Sequence, residues 1–230
     1  MKAISLSVVL SALFVVPAGA ATILVDNFDE VDTLSISNTT DGTSGQYEAL
    51  SAVLGGYREG QVRNYGVPPN NSASTLSTSG SQFNAVRGNG NGDFVLRYFG
   101  QNVDSIIGGN WNYTGLSDAT SLQLTFSANT TTDLRVNVLA RKWDGGYSNF
   151  VSTASAEAFV PIGDSILDLP VSVLNLTSFG GIDQFEIVFT TPQNQSFSVD
   201  SIVAVIPEPT SFALVGVVAM ALLTRRERRQ

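Results

Sequence analysis

Residues 121–141 read Ser-Leu-Gln-Leu-Thr-Phe-Ser-Ala-Asn-Thr-Thr-Thr-Asp-Leu-Arg-Val-Asn-Val-Leu-Ala-Arg. Leu122, Leu124 and Phe126 alternate with polar residues in the first part, and Leu134, Val136, Val138 and Ala140 do so in the last. Successive side chains of a strand point to opposite faces, so a period of two means extended backbone with one face buried. Asn129-Thr130-Thr131-Thr132 between them predicts a tight reversal, and with it an antiparallel hairpin.

The same period extends outward in both directions. Phe185, Ile187 and Phe189 alternate within Gln184 to Thr190, and further strands are expected at Ser196 to Val205, Glu157 to Pro161, Phe94 to Phe99 and Thr22 to Val25. Gly55-Gly56 reads as a glycine turn between two strands, and Asp144-Gly145-Gly146 as another turn. Gly66 to Asp93, with Pro68-Pro69, a Ser/Thr/Gly tract and Gly88-Asn89-Gly90-Asn91-Gly92-Asp93, reads as a long loop. No amphipathic helix lies between the termini. The fold class expected is all-β, an antiparallel sandwich.

Phe197-Ser198-Val199-Asp200-Ser201-Ile202 resembles the last strand of jelly-roll, galactose-binding-like domains and carbohydrate-binding modules. That resemblance implies a jelly-roll-like sandwich whose first and last strands lie side by side. It also implies that Asp200 meets Asp26 or Asp29 at a structural calcium, an ion that hard carboxylate oxygens suit. Glu30-Val31-Asp32 begins like the E-x-D-x-x-E motif of jelly-roll endoglucanases, but the place of the third carboxylate holds Ser35.

Composition narrows the chemistry. The 230 residues include 12 basic and 20 acidic ones, a net charge of −8, with no cysteine and no histidine. Setting aside Lys2, Glu208, Glu227 and four C-terminal arginines leaves 7 basic and 18 acidic residues, a net charge of −11. Nucleic acid is excluded as a partner, because its affinity depends on phosphates neutralised by Lys and Arg. Without His or Cys there is no Ser-His-Asp triad, thiol nucleophile or His/Cys zinc site. Carboxylate chemistry survives this filter. A glycosidase needs only two carboxyls about 5–10 Å apart. Glu30, Glu48, Glu59, Glu157 and Glu186 are therefore the candidates for an alternative reading as a carbohydrate-active enzyme.

Two aromatic clusters suit the apolar faces of sugar rings. Trp111 and Tyr113 sit in Gly108-Gly109-Asn110-Trp111-Asn112-Tyr113, and Trp143 and Tyr147 flank Asp144-Gly145-Gly146 in what reads as a loop. Each combines rings with Asn or Asp partners for hydroxyl groups. The competing expectation is that each Trp caps an end of the core.

The two ends of the chain carry address signals. Met1-Lys2, the apolar stretch Ile4 to Val16 and Ala18-Gly19-Ala20 make a signal peptide with cleavage by signal peptidase after Ala20. Residues 206–230 read Ile-Pro-Glu-Pro-Thr-Ser-Phe-Ala-Leu-Val-Gly-Val-Val-Ala-Met-Ala-Leu-Leu-Thr-Arg-Arg-Glu-Arg-Arg-Gln. The Pro207-Glu208-Pro209 triplet resists helix, the apolar run from Phe212 to Leu223 can enter lipid as a short transmembrane helix, and Arg225, Arg226, Arg228 and Arg229 oppose translocation. A dozen helical residues span ~20 Å, less than the ~30 Å hydrocarbon core, which suits a transient span. The tail resembles the PEP-CTERM sorting signal of Gram-negative bacteria. The resemblance implies recognition by an exosortase during export, transient anchoring in the inner membrane, and delivery to the cell surface or matrix alongside exopolysaccharide in a biofilm. The expected organisation is a signal peptide (1–20), an exported domain (21–205) and a sorting tail (206–230).

Overall fold

The computed structural model describes residues 21–30, 34–51, 53–66, 72–99, 119–127, 134–143, 150–160, 165–170 and 184–206. Residues 21–207 form a compact unit. Residues 1–20, expected to be a signal peptide, and residues 207–230 of the expected sorting tail lie outside the described residues. In chain order the strands are β1 (Ala21–Asp26), β2 (Ser35–Asn38), β3 (Gly42–Ala49), β4 (Tyr57–Tyr65), β5 (Ser74–Thr78), β6 (Phe83–Val86) and β7 (Asn91–Phe99). Then follow β8 (Ser121–Phe126), β9 (Leu134–Trp143), β10 (Phe150–Val160), β11 (Ser165–Pro170), β12 (Gln184–Thr190) and β13 (Ser196–Ile206). A 3-10 turn at Leu54–Gly56 leads into β4, with Gly55 and Gly56 at φ 84° and 85°, as the glycine-turn expectation requires.

Two antiparallel sheets face each other as a β-sandwich, the class expected from the alternation. One sheet runs β11-β8-β13-β6-β5-β2 with β1 beside β13, and the other runs β10-β9-β12-β7-β4-β3. β13 is the seam of the first sheet. One of its edges pairs β8, and the other pairs β6 as far as Val199 and β1 from Ile202 onward. Register slips between Val199 and Ser201, so Asp200 is the extra residue of a β-bulge at the changeover. The first and last strands are thus neighbours, with Ala21 opposite Ile206.

Two expectations are corrected here. β8 and β9 do not form a hairpin: β8 pairs β13 and β11 in one sheet, while β9 pairs β10 and β12 in the other. Alternation tells which face is buried, not which strand lies alongside. The chain from Phe126 to Leu134 reaches ~26 Å when extended, enough to cross the ~10 Å between packed sheets. Residues 66–93 are also not one loop, since they carry β5 and β6. Those strands are built largely of Ser, Thr, Asn and Ala, and only Leu76, Phe83 and Ala85 give a weak apolar period. β11, at Ser165–Pro170, was not anticipated at all.

The inward faces meet in an aromatic centre. Phe83, Phe94, Phe189 and Phe197 are fully or almost fully buried, and the Phe189–Phe197, Phe83–Phe189 and Phe94–Phe197 centroids lie 5.1, 5.7 and 5.7 Å apart. Rings at this spacing and tilt gain ~1 kcal/mol per pair beyond their area burial. Leu122, Leu124, Phe126, Ile202 and Ala204 face Val136, Val138, Leu96 and Ile187 across the same core.

A buried arginine stands near each end of this core. Arg58 donates from Nη1 to Asp26 Oδ2 at 2.7 Å and from Nη2 to Glu48 Oε2 at 3.1 Å. Arg87 has no such carboxylate. Its Nη1 reaches Asn64 Oδ1 at 3.2 Å and the Arg63 carbonyl at 3.4 Å, its guanidinium lies 4.6 Å over the Phe94 ring, and its Nε and Nη2 have no partner. Burial pushes the Arg87 guanidinium down to about 10, with Asp93 and Tyr65 pulling the other way. Exchanging Arg87→Met keeps much of the volume and removes two unmet donors. Unfolding free energy should therefore stay within ~1 kcal/mol of the parent in urea melts, or rise. A loss of several kcal/mol would mean that Arg87 holds the fold.

Gly92, in β7, shares this end of the core. Its φ of 149° lies outside the range of ordinary L-residues, and a Cβ there would overlap the carbonyl oxygen of Arg63.

Candidate functional site

The face of the β3–β4–β7–β12–β9–β10 sheet that turns away from the core is its chemically distinctive surface. β4 shows why. Its sequence Tyr-Arg-Glu-Gly-Gln-Val-Arg-Asn-Tyr sends Arg58, Gly60, Val62 and Asn64 inward, and Tyr57, Glu59, Gln61, Arg63 and Tyr65 outward. Register then aligns distant residues into rows. Tyr47, Glu59, Arg97 and Glu186 stand side by side on β3, β4, β7 and β12. Gly45, Gln61, Val95, Val188 and Asn137 form the next row, and Thr43, Arg63, Asp93, Thr190 and Arg135 the one after.

Five of these side chains close a hydrogen-bonded ring. Arg97 donates from Nε to Glu186 Oε2 at 2.7 Å and from Nη1 to Glu59 Oε2 at 3.1 Å. Gln61 Nε2 donates to Glu59 Oε1 at 2.5 Å. Arg63 donates from Nε and Nη2 to Gln61 Oε1 at 3.1 and 3.0 Å, and its Nη2 also reaches Glu186 Oε1 at 3.3 Å. Gln184 Nε2 adds a further bond to Glu186 Oε2 at 3.0 Å. To reach Glu186, Arg63 on β4 extends past β7, which accounts for the complete burial of Val95 between them.

The ring holds two carboxylates and two guanidiniums, so its formal charge cancels. Its Glu186 is fully buried, and the side chains of Arg63 and Arg97 are 18% and 19% exposed. Desolvating such groups costs several kcal/mol per ion and is offset only by close pairing with saturated hydrogen bonds. Folding gains little from this arrangement, since an apolar face would pack as well. Tyr47 and Tyr65 stand exposed beside it, at 57% and 51%. Asn137 Oδ1, on the same face, is a buried acceptor with no partner. Fixed donors and acceptors next to phenol rings are the complement of an uncharged ligand rich in hydroxyl groups.

The residues singled out from sequence lie elsewhere. Trp143 is the last residue of β9, paired with Phe150, and not in a loop as expected, because the strand continues to the edge of the turn. Trp111, Tyr113 and Tyr147 lie outside the described residues, as do Ala18, Ala20, Pro207, Glu208, Pro209, Arg225, Arg226, Arg228 and Arg229. Asp26 is buried, accepting from Arg58 and, at 3.1 Å, from the Tyr98 hydroxyl, while its Oδ1 takes the Phe28 N–H at 2.9 Å. Burial raises its carboxyl above the ordinary range, and Arg58, the Phe28 N–H and Tyr98 pull it back. Asp29 Oδ2 accepts from Asn27 Nδ2 at 2.6 Å, and Asp200, in the bulge of β13, accepts from Gln82 Nε2 at 2.7 Å. Among the described residues no group of three or more Asp, Glu, His or Cys side chains is gathered to hold a metal.

Sequence reasoning passed over the ring because β4 is polar on both faces. Arg58 and Asn64 point inward, so the alternation of Tyr57, Glu59, Gln61, Arg63 and Tyr65 does not stand out in a hydropathy pattern. The signal that could have found it is the spacing from Tyr57 to Tyr65 with a long polar side chain at every second residue between, Glu59, Gln61 and Arg63.

No family model matches the chain, and no curated protein does. Among solved structures it is similar to the family 11 carbohydrate-binding module from Clostridium thermocellum, in complex with a β-1,3-1,4-mixed-linked tetrasaccharide. The identity is 12%, with 83% of this chain and 98% of that one covered and a TM-score of 0.42. The solution structure of CtCBM11 gives 12% identity, 84% and 99% coverage and a TM-score of 0.44. A family 29 carbohydrate-binding module gives 13%, 70%, 89% and 0.32. The sandwich described above stands on its own ladders, and these likenesses assign no residue of this chain a role.

Proposed function

We propose that this is an exported surface or matrix protein that binds an uncharged exopolysaccharide on the outward face around Glu59, Gln61, Arg63, Arg97 and Glu186. The observation that carries the reading is the closed, charge-balanced ring beside exposed Tyr47 and Tyr65. With its guanidiniums already matched by carboxylates, the ring offers no spare positive charge to an acidic polymer, and a chain of net charge −8 repels one. Export, passage through the inner membrane and processing by signal peptidase and an exosortase belong to the same proposal, supported by the signals in residues 1–20 and 206–230.

Binding is favoured over hydrolysis by one geometric fact. A glycosidase must fit the scissile bond between its two carboxyls. Here Arg97 occupies the space between Glu59 and Glu186, bonded to both. The other candidates are held as well: Glu30 by Ser51, Glu48 by Arg58 and Glu157 by Arg135.

Co-sedimentation of the 21–206 domain with the host's insoluble exopolysaccharide tests the reading, with calcium and with chelator. Tyr47→Ala should cut retention ~10-fold, the effect of losing ~1.4 kcal/mol of ring contact, while an exposed site leaves the melting temperature unchanged. Retention equal to the parent's removes this face as the site; loss on Trp143→Ala instead would move it to the end of β9. Retention that requires calcium would support the structural ion proposed near Asp26, Asp29 and Asp200, although Asp26 would first have to give up Arg58.

A further inference from the structure

We propose that the polymer lies across the strands of the outward face, along one register row that ends on Phe159, so that the domain grips a stretch of linear, uncharged polysaccharide and not a single terminal sugar. This rests on that face being the binding surface, and adds the ligand's direction, its length and a further ring platform. The row is Thr43, Arg63, Asp93, Thr190, Arg135 and Phe159, one residue from each strand of the sheet. Residues directly opposite one another share a face, so all six stand outward with Arg63. None of the six is buried. The two neighbouring rows are each interrupted by a fully buried side chain, Glu186 in one and Val95 in the other. Of the three rows, this one alone stays accessible from β3 to β10.

Phe159 is 69% exposed, the most exposed large apolar side chain among the described residues. A single apolar residue on a surface is ordinary. Its register distinguishes this one: it stands at the β10 end of the lane, while Tyr65, also exposed, stands beside Arg63 on the same face of β4. The two rings give the apolar faces of sugars a platform at either end. Between them lie hydroxyl partners in fixed positions. Thr190 Oγ1 donates to Asp93 Oδ1 at 2.6 Å, and Arg135 Nη2 donates to Glu157 Oε2 at 2.7 Å. Arg63 is held by Gln61 and Glu186. Both guanidiniums of the lane therefore face a carboxylate, and Asp93 adds a negative charge, so an acidic polymer gains nothing here. The lane crosses six strands, ~24 Å at the ~4.8 Å spacing of paired strands, so full contact takes a chain of several sugars.

The test titrates the 21–206 domain, whose hydrophobic core lies wholly within those residues, with size-graded fragments of the host's exopolysaccharide, alongside retention on the intact polymer. Parent affinity should climb with fragment length until the fragment spans the ~24 Å lane, and then level off. Phe159→Thr keeps a strand-favouring residue at an exposed position, so melting should not change. It should cut retention of the intact polymer ~10-fold, the loss of one ring contact, and flatten the length dependence. Phe159→Tyr keeps the ring and should bind like the parent. So should Ile166→Thr, a change at an exposed apolar residue of the opposite sheet. Parent-like retention by Phe159→Thr overturns the proposal, as does a parent affinity indifferent to fragment length. An equal loss on Ile166→Thr also overturns it, since that would be unspecific adhesion. If Tyr47→Ala weakens retention and Phe159→Thr does not, the binding face stands and the lane falls. If the parent retains no polymer, both fall.

Discussion

Arg58→Met should lower the unfolding free energy by about 3–5 kcal/mol at neutral pH, the usual result of stripping one partner from a buried ion pair. Asp26 would keep the Phe28 N–H and the Tyr98 hydroxyl but lose the 2.7 Å guanidinium contact, and Glu48 would lose its own at 3.1 Å. The packing of Arg58 over the Phe28 ring, 5.4 Å from its centroid, goes with it. The loss should depend on pH with a defined sign. Burial already raises the Asp26 carboxyl, so the native state holds a proton that the unfolded chain gives up between the ordinary and the raised value. Stability from this group is therefore greatest in acid and declines as pH rises through the raised value. Removing Arg58 raises the carboxyl further, because desolvation is then less opposed. The variant's deficit should be full at neutral pH and shrink as pH falls, read from urea melts at about pH 7 and about pH 5. A deficit that grows in acid would mean that Asp26 is not the stranded charge.

Gly92→Ala should be the other severe change, costing at least ~3 kcal/mol or preventing soluble expression. Two penalties act together. The φ of 149° excludes an L-side chain, and the added Cβ would overlap the Arg63 carbonyl, part of the neighbouring strand's backbone. Backbone cannot rotate away as a side chain can, so β4 and β7 would have to part where Asn64 faces Gly92. Arg63 leaves its place in the ring if that happens, so the variant should lose polysaccharide retention in whatever fraction still folds. Gly66→Ala is the control: its φ of 61° carries the conformational cost, but a Cβ there meets nothing within 4 Å. Equal destabilisation by the two changes would show that the clash at Gly92 contributes nothing.

How much of this was legible in the sequence depends on where the deciding partners lie. β12 was readable to the residue, because Phe185, Ile187 and Phe189 recur at every second position between polar Gln184 and Thr190 on a single strand. β5 and β6 were not, because Ser and Thr neither mark a buried face nor exclude one. The hairpin expected over residues 121–141 failed for a related reason. Both strands have the predicted buried faces, but those faces meet across the core, and hydropathy carries no term for pairing. The ring was the least legible feature of all. Glu59, Arg97 and Glu186 are far apart in the chain and come together only through the β4–β7 and β7–β12 registers. Local composition pointed to the Trp loops, because sequence proximity is the one kind of proximity it contains. The triad of Asp26, Arg58 and Tyr98 was hidden in the same way: Asp26 reads as part of an acidic surface turn, whereas in the fold it is the counter-ion of a core arginine.

The pairing of β1 with β13 has a kinetic meaning. Residue 21 faces residue 206, so the ladder that seats the first strand cannot form until the last strand is available. Closing a loop of that length costs on the order of 5 kcal/mol of chain entropy before any contact repays it. Folding through such distant pairings is slow, because this entropy is lost before the contacts that offset it can form. The ladder between the first and last strands therefore forms only after the whole domain has been made. Until then β1, the first strand the chain makes, has no ladder to join.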